Sequence, residues 1–163
     1  MGIFRTKHNG KGNFNRSSTQ SKNVYLGMLM KIYRFLSRRT NSKFNCAILK
    51  RLQMSRTNRP SISLSRLIRL SNKNISKTIV IVGKVLNDDR VIFIPKISVC
   101  ALKVSKTTKK RIIAAGGNVL TFDQLAVTSP SGRNTILIRG PKHQRKVYRF
   151  FEGVAGANVR RFN

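Results

Sequence analysis

Apolar residues recur along this chain with two different periods, and the change from one to the other falls near residue 77. Upstream the spacing is helical. It predicts a first helix from about Lys22 to Arg39 with Ser21 as its N-cap. At about 100° per residue, Val24, Tyr25, Met28, Leu29, Ile32, Phe35 and Leu36 share one broad face expected to turn inward. Lys31, Arg34 and Arg38 form a stripe opposite, with Gly27 among them, where a missing side chain would let a phosphate near the backbone. Thr40-Asn41-Ser42 breaks the helix, and a second runs from Lys43 to about Met54, apolar at Phe44, Ala47, Ile48 and Leu52. The break is short, so the two should pack as neighbours. SRTNRPSISLS is a loop, because Pro60 biases Arg59 towards an extended conformation. Ser63 then caps a short third helix with Leu64, Leu67 and Ile68 inward and Arg66 and Arg69 outward.

Beyond a polar linker at Asn72 to Ser76 the residues become β-branched. TIVIVGKVL, Thr78 to Leu86, is a strand of the kind found inside a sheet. Asn87 to Arg90 is a turn, and VIFIP and ISVCALKVS are further extended segments, the second alternating through Ile97, Val99, Ala101 and Lys103. Ser105 or Thr107 starts a helix, TTKKRIIAA, that Gly116-Gly117 ends. Val119-Leu120 adds a short strand, Thr121 to Gln124 is a capping box for a helix through Leu125, SPSGRN is a turn, and TILIRG is a last strand. The fold class is therefore α/β. An extended basic arm over 1–21 precedes one globular domain over 22–151, helical over 22–71 and sheet-containing over 77–151, with a short tail over 152–163.

Charge changes the picture more than composition does. Among 163 residues, 34 are Lys or Arg and four are Asp or Glu, a formal net charge of +30. The block from Met1 to Asn87 carries 19 of the 34 cations and no acid at all. Unbalanced charge repels itself, so the counter-charge has to come from a polyanionic partner, and nucleic acid fits best. No stretch is long and apolar enough for a transmembrane helix, and the N-terminus lacks the apolar core of a secretory signal, so no membrane partner is expected. Two distant Cys form no metal-binding spacing and suit a reducing compartment.

Catalysis needs positioned acids, bases or an activated nucleophile. Asp88 and Asp89 lie in a turn, Asp123 in a capping box, and Glu152 near the end of the chain. His8 and His143 lie in basic, irregular stretches; Cys46 and Cys100 read as buried small hydrophobes. IVGK lacks the spacing of a phosphate loop, and Gly116-Gly117 is not a dinucleotide fingerprint. No enzyme, small-molecule substrate, metal or cofactor is expected. Binding of RNA through phosphates and shape remains. The densest candidate is the loop Ser55, Arg56, Thr57, Asn58 and Arg59, whose arginines can each fork onto a phosphate. Arg38 and Arg39 at a helix end come next, beside Lys31 and Arg34. Further candidates are Arg5, Lys7, Lys11 and Arg16 in the arm, Lys109, Lys110 and Arg111 on the later helix, and Arg139, Lys142, His143, Arg145 and Lys146 after the last strand. Phe4, Phe14, Tyr25 and Tyr33 could stack on bases, although Tyr25 fits the core better.

Several long ordered pieces point to one family. NVYLGMLMKIYRFLSRRTNSKFN, LKRLQMSRTNRPSISLSRLIR, IVGKVLNDDRV, PKISVCALKVS, AAGGNVLTFDQLAVTSPSGRNT and LIRGPKHQRKVYRFF together resemble the eukaryotic and archaeal large-subunit ribosomal protein L-eighteen family, from about Asn23 to Phe151. KVSKTTKKRIIAAGGNV is also similar to the C-terminal half of bacterial ribosomal protein L-fifteen. The resemblance implies an irregular core of strand-strand-helix turns preceded by helices and an arm. It also implies a structural, rRNA-binding role in the large (60S) subunit beside other ribosomal proteins. The place would be the cytoplasmic ribosome, with assembly in the nucleus and nucleolus. Family members continue past the FF-x-G position into a longer basic tail, whereas this chain stops at Asn163. The alternative is a chromatin-like nucleic-acid-binding protein, which shares the charge but has no recognisable DNA-binding motif here.

Overall fold

The computed structural model describes residues 21–71 and 76–141. Its centre is β2 (Thr78–Leu86), whose run of branched residues is buried on both faces. On one side β2 pairs with β3 (Ser98–Val104), which pairs in turn with β4 (Asn118–Leu120), and every pairing is parallel. Its other edge is shared. β5 (Thr135–Ile138) covers Thr78 to Ile81, and β1 (Ile62–Ser63) covers Val85 and Leu86.

Strand alternation divides the core into two layers. Ile79, Ile81, Val99 and Ala101 face α3 (Leu64–Ser71) and α4 (Lys106–Ala114), meeting Leu64, Leu67 and Ile112. Val80, Val82 and Cys100 face α1 (Val24–Thr40), α2 (Lys43–Gln53) and α5 (Phe122–Thr128), meeting Leu26, Met30, Tyr33, Ile48, Leu52, Phe122 and Leu125. A parallel sheet covered on both faces needs such continuous apolar strands.

Local chemistry sets the ends of the elements. Ser105 caps α4 by accepting from the Thr108 amide, and the amides of Gly116 and Gly117 bond back to Ile113 and Ile112. Thr121 and Gln124 form the reciprocal capping box of α5. The N-cap of α1 is Asn23, not Ser21: the Asn23 side chain accepts from the Tyr25 amide at 3.0 Å, and Ser21 supports it by accepting from the Asn23 amide. The loop after α2 is more ordered than expected, holding a single 3-10 turn at Arg56–Asn58 and then β1. VIFIP is irregular and forms no strand; Ile92 and Phe93 are exposed, and only Ile94 of its apolar residues is buried.

The largest correction concerns α1. Its inward face is Leu26, Met30 and Tyr33, with Leu29 and Leu36 half-buried beside them. Val24, Tyr25, Met28, Ile32 and Phe35 lie on the solvent side, and Tyr25 is 78% exposed. Tyr33 decides this orientation. Its hydroxyl donates to the Phe122 carbonyl at 3.0 Å, and its ring meets Phe122 edge-on with centroids 5.9 Å apart. Cys46 is likewise exposed, one position out of register from the buried Asn45; only Cys100 is a core thiol.

Candidate nucleic-acid interface

The gap on the β2 edge between β5 and β1 is where the site is built. The backbone of Arg59-Pro60-Ser61 crosses it, close to two glycines. A Cβ on Gly140 would come within 2.6 Å of the Ser61 carbonyl, and one on Gly83 within 3.1 Å of the Pro60 carbonyl. These positions are glycine because main chain passes over them. Next to the crossing, the β2–β3 register shifts between Ile81 and Lys84. That irregularity redirects the side chains at the carboxyl ends of both strands.

The result is an open groove of about 610 Å³. The 3-10 turn and its C-cap supply Arg56, Thr57 and Arg59 to the lining, the ends of β2 and β3 supply Lys84, Leu86, Leu102 and Lys103, and Pro60 and Pro141 complete it. Its position outside the carboxyl ends of parallel strands is the usual place for a ligand in an open α/β sheet. Among the described lining residues four are cationic and none is acidic. Burial lowers the Arg59 pKa, so its charge is partly removed from water with no carboxylate among the described lining residues to compensate.

Comparison with known proteins follows the same chain almost end to end. The sequence profile described as "Ribosomal protein 60S L18 and 50S L18e" matches residues 2–161. The chain belongs to this family. Two relatives from Schizosaccharomyces pombe, the A and B forms of large ribosomal subunit protein eL18, are 50% and 51% identical over 155 residues. Each alignment covers 93% of this chain and 82% of the relative.

In this L18-family chain the candidate residues fall into separate groups. Around the groove, Arg56 and Thr57 are exposed and Arg59 is half-buried. Ser55 and Thr57 bond each other through their hydroxyls at 2.7 Å, and Asn58 donates to Ser55. Those small side chains therefore staple the turn that presents the arginines. Arg139 is exposed and donates to the Asn58 carbonyl at 3.2 Å, tying β5 to the same turn. Arg51, which sequence reading passed over, donates to the Ile138 carbonyl at 3.0 Å. Burial first, and then the neighbouring Arg139 charge, lower its pKa.

Lys31, Arg34 and Arg38 form a second group, exposed along α1, and space beside Gly27 is open. Arg39 lies 5.6 Å over the Phe35 ring, a cation–π contact at the end of the same helix. Lys109 and Lys110 are exposed on α4, across the sheet from α1. Arg111 differs from them. It turns inward and donates to Asn87 Oδ1, to the Asp88 carbonyl and to the Val91 carbonyl, so it clamps the 87–91 turn. In that turn the Ser65 hydroxyl donates to Asp88 and, as the main cause, holds its carboxyl below the usual range. Arg5, Lys7, Lys11, Arg16, Phe4, Phe14, Lys142, His143, Arg145 and Lys146 lie outside the described residues.

Lys84 and Lys103 were missed by sequence reading. Each sits in a strand, where a lone lysine looks like an edge or solvent position. Only the shifted register and the Pro60 crossing bring both to Arg56 and Arg59. No helix among the described residues is long and apolar enough to cross a membrane.

Proposed function

We propose that this structural constituent of the large ribosomal subunit is held on rRNA mainly by the carboxyl-end rim of its sheet. The rim consists of Arg56, Arg59, Lys84, Lys103 and Arg139, and the α1 stripe of Lys31, Arg34 and Arg38 gives a second contact. The observation carrying this reading is the convergence of cations from distant parts of the chain on one groove whose described lining holds no acid. Guanidinium groups fork onto phosphate oxygens, and lysines add point charge. Contacts of this kind position a protein on RNA without reading base sequence, which suits a scaffold fixed at one place in a particle. Lys109 and Lys110, on the other sheet face, would meet a different RNA segment or a neighbouring ribosomal protein, so the domain would act as a wedge. Its place of action is the cytoplasmic ribosome, after nucleolar assembly.

The test is incorporation. Arg56→Glu with Arg59→Glu should leave the circular dichroism of the isolated chain unchanged while sharply lowering its share in large subunits on a sucrose gradient. Wild-type incorporation of the double variant would remove the rim from the interface.

A further inference from the structure

A duplex needs only a charged surface, yet the groove is a concavity with an apolar lining. Stacked A-form RNA is a convex rod that presents riboses and phosphates, and its bases cannot enter a cleft between two strand ends. A volume of about 610 Å³ exceeds what phosphate oxygens require. It falls within the roughly 300–1,000 Å³ range of sites that enclose small organic ligands. Leu86, Leu102, Pro60 and Pro141 supply apolar wall that a phosphate alone would leave uncovered. Among the described residues, no hydrogen bond to a protein acceptor engages the side-chain heads of Arg56, Arg59, Lys84 or Lys103, in contrast to Arg51, Arg111 and Arg139.

We propose that the groove takes a single unpaired nucleotide extruded from an rRNA helix, its base against Leu86 and Leu102 and its flanking phosphates on Arg56, Arg59, Lys84 and Lys103. The base lies against the aliphatic walls and on the plane of an arginine, and a guanidinium plane is a surface on which splayed bases stack. Cations at both rims hold the phosphates on either side of it. This inference rests on the rRNA-binding reading above and narrows it: the rim recognises a helix that carries a bulge.

The experiment compares the full-length chain on two fluorescein-labelled RNA hairpins that differ by one unpaired nucleotide in the stem, with anisotropy read at fixed salt. The bulged hairpin should bind roughly tenfold tighter. Ser61→Leu, an uncharged substitution at the exposed mouth of the groove, should bring the bulged hairpin to the affinity of the paired one, with an unchanged circular dichroism spectrum and melting temperature reporting an intact fold. With 4-thiouridine at the bulge, photo-crosslinks should map to residues 56–61 or 84–103. Equal affinity for the two hairpins overturns the nucleotide site while leaving rRNA binding intact; a groove filled by residues 142–163 would give that result. Crosslinks confined to α1 or α4 overturn it too. Binding no tighter to either hairpin than to duplex DNA of equal length would instead overturn the underlying rRNA reading, and the groove assignment with it.

Discussion

Tyr33 shows how one hydroxyl chooses between two faces of a helix. α1 is apolar along Leu26, Met30 and Tyr33 and again along Val24, Met28, Ile32 and Phe35, so its periodicity supports either orientation. The outer stripe holds more apolar residues, and that is why spacing alone points to it. The buried choice is settled by the Tyr33 hydroxyl, which once buried needs an acceptor and finds it in the Phe122 carbonyl; no other buried α1 residue carries such a group. Tyr33→Phe should therefore cost about 0.5–1.5 kcal/mol in a denaturant titration, the net value of one buried hydrogen bond. Met28→Gln, on the outer stripe, should stay within about 0.5 kcal/mol. Equal losses would mean that the helix is seated on its other face. The two cysteines make a similar contrast. Burial, and then the nearby Asp123 charge, push the Cys100 thiol up to about 12, whereas Cys46 is exposed. A raised thiol pKa favours the folded state fully below the ordinary thiol value, and that advantage is lost as pH climbs towards the folded one. At pH 8 a thiol reagent should consume one equivalent in native protein and a second only on unfolding. Two equivalents in the native state would contradict the burial.

Elements were legible where local signals and packing agree. β2 coincides with the predicted run, β3 follows its alternation, and the caps of α4 and α5 are those the residues announce. Elements that depend on a distant partner were not legible. β1 has two residues and exists because Ile62 and Ser63 meet the end of β2. VIFIP has strand composition, but β1 and β5 on one side and β3 on the other occupy both edges of the central β2, and it pairs with none of these strands. The site divides in the same way. Arg56 and Arg59 stand out as a cationic cluster in a polar loop, while Lys84 and Lys103 become partners only through the bulge and the Pro60 crossing. Arg111 reads in the sequence as one more cation beside Lys109 and Lys110, and its clamp on the carbonyls of the 87–91 turn shows only in the fold.

For the whole molecule, the dominant quantity is a net charge of +30 on 163 residues. At low ionic strength these charges act over tens of ångströms, and at 0.1 M salt the screening length falls to about 10 Å. The isolated chain should therefore melt at a higher temperature as salt is raised from millimolar to a few tenths molar, followed by circular dichroism. A melting temperature independent of salt would show that repulsion is already offset within the fold. The same surplus made the partner class legible from composition, whereas the face proposed to meet that partner depends on topology.

The shared edge of β2 also imposes an order of events during translation. Asn58 and Arg139, joined across the crossing, are 81 residues apart in the chain, so a polypeptide growing from its N-terminus holds only part of the cleft until the last strand has emerged and docked. Half-made copies carry the positive charge without the shaped receptor. The selective grip proposed for the cleft would thus come late, once its last described strand has been made.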